Sequence, residues 1–132
     1  MKKLNDLKIK IFADGADLDS IKKLNEKNYI KGFTTNPSLM KKAGIKDYKN
    51  FALKILKNIQ KKPISFEVFS DDINEMYQQA EEISKWGKNV NVKIPITNTK
   101  KQSTLGIIEK LSSKGIICNI TAIFTLNQIR EV

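Results

Sequence analysis

The stretch Asn89-Val90-Asn91-Val92-Lys93-Ile94-Pro95-Ile96 decides how this chain is expected to fold. Its apolar residues recur at every second position, which is the period of a β-strand with one buried face. The opposite face carries Lys93, and a lysine is almost never fully buried unless it is paired or functional. Pro95 favours the end of a strand, because proline cannot donate to the ladder. The stretch therefore predicts a strand that ends just after Lys93, with the lysine amine at its C-terminal mouth.

Two interpretations of Lys93 follow from this pattern. An amine that is short of water can lose its proton and attack a carbonyl carbon. The alternative is a surface strand that exposes its lysine to solvent. The polar residues of the other strands are needed to choose between the two.

The composition predicts a single domain over residues 1–132. Hydrophobic residues make up 40% of the chain, which is enough for a core, and 132 residues fit one domain at most. The net charge of +10 raises nucleic acid or a membrane surface as a partner. Arg130 is the only arginine, however, and nucleic-acid recognition prefers arginine forks beside aromatic platforms. A solvated lysine-rich surface, with neither nucleic acid nor membrane as a partner, is the favoured interpretation.

Two residue types are scarce in this chain. It has no histidine, which excludes Ser-His-Asp and Cys-His catalysis and most zinc sites, and Cys118 is its only cysteine. We therefore expect no metal site and no disulfide framework. No apolar run approaches 18 residues, and the N-terminus lacks the apolar stretch of a signal peptide. A cytoplasmic protein is the expectation.

Apolar periodicity and capping residues divide the chain into five strand–helix repeats. We expect strands at 8–14, 30–36, 64–70, 89–96 and 116–124. We expect helices at about 17–28, 38–43, 47–59, 72–86 and 103–113, and from Thr125 onwards. Such alternation is typical of parallel strands joined by helical crossovers.

The two faces of these strands differ in character. One is almost entirely apolar, with Thr35 as the polar exception, as expected for a face packed against helices. The other bears seven polar side chains near the C-terminal strand ends: Asp14, Thr34, Asn36, Glu67, Lys93, Asn119 and Thr121. An open sheet covered on both faces needs both to be apolar, whereas a (β/α) barrel has a lumen with its active site at those ends. The pattern predicts the (β/α)8 TIM-barrel class, with about the first five βα units in this chain.

Single members of that polar set are ordinary, because an aspartate often caps a helix and an asparagine often sits in a turn. Seven of them in register across five strands instead indicate one functional site.

Five motifs follow one another along the strands. They are Phe12-Ala13-Asp14-Gly15-Ala16-Asp17, Gly32-Phe33-Thr34-Thr35-Asn36-Pro37-Ser38, Ser65-Phe66-Glu67-Val68, Val92-Lys93-Ile94-Pro95 and Cys118-Asn119-Ile120-Thr121. These motifs resemble the transaldolase family, and the Thr-Thr-Asn-Pro-Ser run is the most specific signature. Their order and spacing match the first five strands of the family's barrel, and the resemblance covers nearly the whole chain after Lys8.

The resemblance implies a transferase that acts on sugar phosphates of the pentose phosphate pathway and needs no cofactor. It implies that Lys93 forms a Schiff base with a ketose phosphate and that Asp14 takes a proton from the C4 hydroxyl. Glu67 acts through a water held with Thr121. The substrate hydroxyls are bound by the remaining polar side chains, which are Thr34, Asn36 and Asn119. The related fructose-6-phosphate aldolases usually carry Gln where Glu67 stands, which favours transaldolase over aldol cleavage.

The length of the chain departs from the family pattern. A (β/α)8 barrel usually needs ~200 residues or more, and the phosphate-binding Ser and Arg of the family come from strands beyond Val132. We therefore expect an incomplete barrel, with a homo-oligomer or a complementing chain as partner.

Two rival interpretations remain. One is a catalytically inert fragment, half of a split barrel, which a partner chain with three more βα units would identify. The other is a basic nucleic-acid-binding module, which a salt-dependent gel shift with random duplex would identify.

Overall fold

The structure is a computed structural model and describes residue 6, residues 8–15 and residues 17–132. It separates into two compact units, one ending at Ile64 and the other beginning at Ser65. Both units alternate β-strands with α-helices. No helix in the described ranges is long and apolar enough to cross a membrane. That residues 1–132 form one domain stays a prediction, and Ala16 of the first motif lies outside the described residues.

The first unit begins with two parallel strands. Its elements are β1 (Ile11–Asp14), α1 (Leu18–Asn25), β2 (Ile30–Thr34), α2 (Pro37–Lys42) and α3 (Tyr48–Asn58). β1 pairs with β2 so that its last residue lies opposite the last residue of β2. Each helix begins at a side chain that accepts hydrogen bonds from backbone N–H groups of the first turn, which otherwise lack partners; these caps are Asp17, Asn36 and Asp47.

The core of the first unit lies on the apolar face of its strands. α1 packs against β2 and α3, and the buried apolar residues are Ile21, Ile30, Phe33, Met40, Ala52, Ile55, Ile59 and Ile64. Thr35 is fully buried there, with its hydroxyl 3.1 Å from the Tyr48 hydroxyl, which explains the one polar exception on this face. On the other face, Gly32 lies so close to the Phe12 ring that a Cβ there would force the ring to move.

The second unit contains three neighbouring strands in the order β3, β4, β5. β3 (Ile64–Glu67) begins at the unit boundary and is followed by α4 (Ile73–Ser84), β4 (Val90–Pro95), α5 (Leu105–Ser113), β5 (Cys118–Thr121) and α6 (Leu126–Glu131). α4 packs against β4 and α5. Along β4, buried Val90, Val92 and Ile94 alternate with half-buried residues. The period-2 pattern predicted for the Lys93 strand is therefore confirmed.

β4 includes Pro95, whereas the proline predicted a strand end just after Lys93. The N–H groups of Val92 and Ile96 donate to β5-side carbonyls at 2.9 Å each, so the intervening nitrogen of Pro95 faces the β3 side. β3 has already ended there at Glu67. A proline is tolerated because no strand at that position needs its missing donor.

The other strands are shorter than predicted. β3 stops at Glu67 rather than Ser70, because the N–H groups of Phe69 and Ser70 donate to Gln79 Oε1 at 2.7 and 3.0 Å. β5 stops at Thr121, because Ala122 has a φ of +59° and leaves the extended region.

The predicted fold class is confirmed. Five parallel strands alternate with helices, and the chain has about five βα units of a (β/α) barrel.

Candidate active site

Lys93 and Glu67 form an ion pair in the second unit. Lys93 Nζ lies 3.2 Å from Glu67 Oε2, and the two side chains are 15% and 21% exposed. Glu67 is the last residue of β3, and Lys93 lies on the neighbouring β4, where its carbonyl accepts a hydrogen bond from the Val68 N–H. The polar face assigned from the sequence therefore brings an amine and a carboxylate into direct contact.

Asn119 lies beside Lys93 in the register of β4 and β5. Its Nδ2 group donates to Ser65 Oγ at 3.0 Å, and Ser65 is fully buried in β3. Because β3 and β5 flank β4, this hydrogen bond spans the strand that carries Lys93. Ser65 is not among the residues that the sequence predicts for the site. Ser65 lies two residues before Glu67 and therefore on the same face of the strand, and this position could have identified it as a site residue.

Thr121 ends β5 on the same face as Asn119 and lies opposite Pro95. Its carbonyl accepts the Ile96 N–H at 2.9 Å. This backbone hydrogen bond holds Thr121 in place. Thr121 lies two residues beyond Asn119, nearer the C-terminal ends of the strands.

The loops that follow β3 and β4 are joined to each other. The Asp71 carboxylate accepts the Thr99 N–H at 2.8 Å and the Thr99 hydroxyl at 2.5 Å, and Asn98 Nδ2 donates to the Asp71 carbonyl at 3.0 Å. The Thr99 hydroxyl, and then its N–H, hold the pKa of Asp71 below its usual value. This junction ties together the segments that leave the strands of Glu67 and Lys93.

In the first unit, Asp14 and Thr34 form a second pair of predicted residues. They are the last residues of β1 and β2 and lie opposite each other in register. Thr34 Oγ1 donates to Asp14 Oδ1 at 3.1 Å, and the Asp14 side chain is exposed. The hydroxyl orients a carboxylate that remains accessible to solvent.

Asn36 lies beyond the end of β2 and caps α2. Its Oδ1 accepts the N–H groups of Ser38 and Leu39 at 2.9 and 3.2 Å, which explains why β2 ends at Thr34 rather than at Asn36. Pro37 at the first helical position has no N–H to satisfy, as this position favours. The Asn-Pro-Ser part of the motif thus builds a helix start, and substrate binding by Asn36 stays a prediction.

A family model described as Transaldolase/Fructose-6-phosphate aldolase matches residues 11–132. The chain belongs to this family. The match includes every residue of the candidate site.

Curated relatives agree with this assignment. The chain is 42% identical over 120 residues to a probable transaldolase of Dehalococcoides mccartyi, a match that covers 91% of this chain and 54% of the relative. It is 42% identical to a probable transaldolase of Thermoanaerobacter sp., again over 91% of this chain and over 53% of the relative. For a probable transaldolase of Nitrosopumilus maritimus the identity is 40%, over 91% of this chain and 51% of the relative. The chain spans about half the length of the relatives it matches.

Membership of the transaldolase/fructose-6-phosphate aldolase family leaves the roles of the individual residues open. Within the second unit, the amine of Lys93, the carboxylate of Glu67 and the amide of Asn119 lie on three adjacent strands. An amine nucleophile, a proton-transfer group and a hydrogen-bonding amide are the components that carbonyl chemistry through a Schiff base needs.

Proposed function

We propose that this chain supplies the Schiff-base lysine of a transaldolase, an enzyme that transfers a dihydroxyacetone unit between sugar phosphates. The observation that carries the proposal is the Lys93–Glu67 ion pair, with Nζ and Oε2 3.2 Å apart, in a member of the transaldolase/fructose-6-phosphate aldolase family. We assign the reaction to the cytoplasm and the pentose phosphate pathway, and residues 1–132 to a single domain.

The first half of the reaction forms the covalent intermediate. The unprotonated Lys93 amine attacks the C2 carbonyl of a ketose phosphate such as fructose 6-phosphate and gives a carbinolamine. Loss of water from the carbinolamine leaves an iminium ion, with nitrogen bonded to C2. Glu67 lies beside Lys93 Nζ, so it can bind a water molecule there. This water carries protons to and from the carbinolamine oxygen, and Thr121 is its second hydrogen-bond partner.

The second half breaks and forms carbon–carbon bonds. Asp14 takes the proton of the C4 hydroxyl, the C3–C4 bond breaks, and its electron pair moves to the iminium to give an enamine. The C4 carbonyl leaves as an aldose phosphate. The enamine carbon then adds to the aldehyde of an acceptor sugar phosphate, Asp14 returns the proton, and water releases the new ketose from Lys93. Asp14 fits this role because it is exposed and oriented by the Thr34 hydroxyl.

The remaining side chains position the three-carbon unit. Asn119 stands beside Lys93 and is held by Ser65, so its amide can bind a hydroxyl of that unit in a fixed direction. We assign the same positioning role to Thr34 and Asn36.

A coupled transaldolase assay tests the proposal. The fused chain, defined as this chain joined to the part of the Dehalococcoides mccartyi relative outside the 120 matched residues, should transfer the dihydroxyacetone unit from fructose 6-phosphate to an aldose phosphate. The 132-residue chain alone should show little transfer, because phosphate binding by further βα units would be missing. A cooperatively melting fused chain that never consumes fructose 6-phosphate would contradict the proposal.

Simple cleavage of fructose 6-phosphate is the second candidate, because the matched family includes fructose-6-phosphate aldolases. In a cleaving enzyme water protonates the enamine, whereas in a transaldolase an acceptor aldehyde captures it. Free dihydroxyacetone released in the presence of acceptor would favour this candidate. An inert fragment is the third, and neither product would form.

A further inference from the structure

We propose that a lysine-rich pocket in the first unit binds a small phosphate-bearing anion, through residues that take no part in the Lys93 chemistry. The pocket has a volume of about 480 Å³ and is lined by Asn25, Lys57, Asn58, Gln60, Lys61 and Lys62. That volume lies in the range of small-molecule sites, which is about 300–1,000 Å³. The proposal does not depend on the proposed function.

Within the first unit, the pocket does not lie at the C-terminal ends of β1 and β2. It lies where α1 ends at Asn25 and α3 ends at Asn58, just before β3 begins at Ile64. The predicted catalytic residues of the first unit instead lie at the C-terminal ends of β1 and β2. A ligand here would therefore not occupy the position of a substrate at Asp14.

One lysine of the pocket has a structural role. Lys62 Nζ donates to the carbonyls of Asn25 and Lys27 at 2.6 and 3.0 Å, which satisfies groups at the end of α1. Burial, and then the nearby charge of Lys31, lower the pKa of Lys62. This ammonium group is thus held in place against the repulsion of another cation.

Lys57 and Lys61 differ from Lys62. Both are exposed, and the structure gives the side chain of neither a hydrogen bond or an ion pair with another described residue. None of the described residues that line the pocket is acidic, and Glu26, next to Asn25 in sequence, is not among them. The three ammonium groups repel each other, because no carboxylate lines the pocket. A bound anion would offset this electrostatic repulsion.

The chemistry of the lining specifies the ligand class. Lysine ammonium groups bind phosphate as point charges, and three of them match an anion with two or more negative charges. The side-chain amides of Asn25 and Gln60 can add neutral N–H donors at the same pocket. An inorganic or organic phosphate with multiple charges fits this lining better than a sugar or an apolar molecule.

Isothermal titration with inorganic pyrophosphate at constant ionic strength tests the proposal on the full 132-residue chain. We expect saturable binding with one site per chain. The double variant Lys57→Gln/Lys61→Gln should bind about tenfold more weakly, because it loses two charge contacts that are individually modest. Lys62 is left intact in this variant, so the end of α1 keeps its hydrogen bonds.

The matched control is Lys41→Gln/Lys42→Gln, which removes the same charge from two exposed lysines of the first unit outside the pocket. It should bind pyrophosphate within about twofold of the parent chain, since unit charges at a distance are screened by salt. Equal weakening in both double variants would overturn the proposal, as it would indicate attraction to the net charge alone. Absence of saturable binding, or binding of random duplex DNA that pyrophosphate does not compete with, would also overturn it.

Discussion

Lys93 Nζ and Glu67 Oε2 lie 3.2 Å apart, on neighbouring strands and on the same face of the sheet. Both side chains are largely but not fully buried, so the pair stands at the edge of solvent. A carboxylate in this place pairs with the lysine and can exchange protons with a group that becomes bonded to Nζ. We therefore expect substitution of Lys93 and substitution of Glu67 to have different effects on the reaction.

Glu67→Gln in the fused chain should keep formation of the covalent adduct but slow its proton transfers. We expect a fall in the transfer rate of about 10²-fold, the lower range for loss of an acid–base group. The share of free dihydroxyacetone should rise, because the family resemblance implies that fructose-6-phosphate aldolases usually carry Gln at this position. Transient kinetics with fructose 6-phosphate separates adduct formation from turnover. Unchanged turnover would show that Glu67 is only a structural partner of Lys93.

Ser65→Ala should disturb Asn119 without touching the substrate directly. The change removes the hydroxyl that accepts from Asn119 Nδ2 at 3.0 Å and leaves this half-buried amide without that partner. In the fused chain we expect a higher KM for fructose 6-phosphate, with adduct formation at Lys93 retained. Ser65→Thr, which keeps the hydroxyl, should recover part of the loss. If Ser65→Ala lowers only thermal stability, Ser65 has no positioning role.

Thr99→Val should raise the pKa of Asp71, because the Thr99 hydroxyl contributes most to its lowering. A lowered carboxyl pKa stabilises the folded chain above the ordinary value of 3.8, and this contribution is lost as pH falls through the lowered pKa. The variant should therefore be less stable than the parent above that value, and its stability should fall less than that of the parent as the pH drops. Carboxyl NMR titration measures the shift, and Asp17, whose pKa is lowered by Ser20, is the internal control. An unmoved Asp71 pKa would contradict the assigned cause.

The C-terminal end of the second unit should mediate self-association. Its exposed apolar residues are Ile117 (64%), Phe124 (88%), Leu126 (70%), Ile129 (57%) and Val132 (54%). Exposed apolar side chains near the terminal strand of a sheet favour association with another chain. Sedimentation velocity should detect concentration-dependent oligomers of the 132-residue chain and a monomer-shifted distribution for Leu126→Glu/Ile129→Lys.

The control for that experiment is Leu39→Glu/Leu53→Lys, which changes two less exposed leucines of the first unit by the same chemistry. It should leave the distribution unchanged. A 132-residue chain that is monomeric at all concentrations would refute the prediction, and so would an equal effect of the control.

Much of the fold was predictable, because period-2 alternation depends only on which face of a strand is buried. Val90, Val92 and Ile94 are buried in β4 as the alternation requires. Strand ends were not predictable, because distant contacts set them. Gln79 captures the N–H groups after β3, and Ala122 adopts a positive φ after β5.

The site was predictable to the extent that it follows strand parity. Parity places these residues on one face of their strands, and in the structure Glu67 contacts Lys93 and Thr34 contacts Asp14. The Ser65–Asn119 hydrogen bond was missed, because it joins residues 54 positions apart in sequence. The capping role of Asn36 depends on local turn geometry, and no alternation pattern reports that geometry.

Borohydride trapping with fructose 6-phosphate, followed by peptide mass spectrometry, tests the central claim most directly. Reduction of the iminium makes the adduct permanent, so its position identifies the nucleophile. We expect a reduced adduct on Lys93, in the fused chain and at lower yield in the 132-residue chain, and none in Lys93→Met. The other 22 lysines of the chain are internal controls for non-specific modification. An adduct on another lysine, with Lys93 unmodified, would contradict the account.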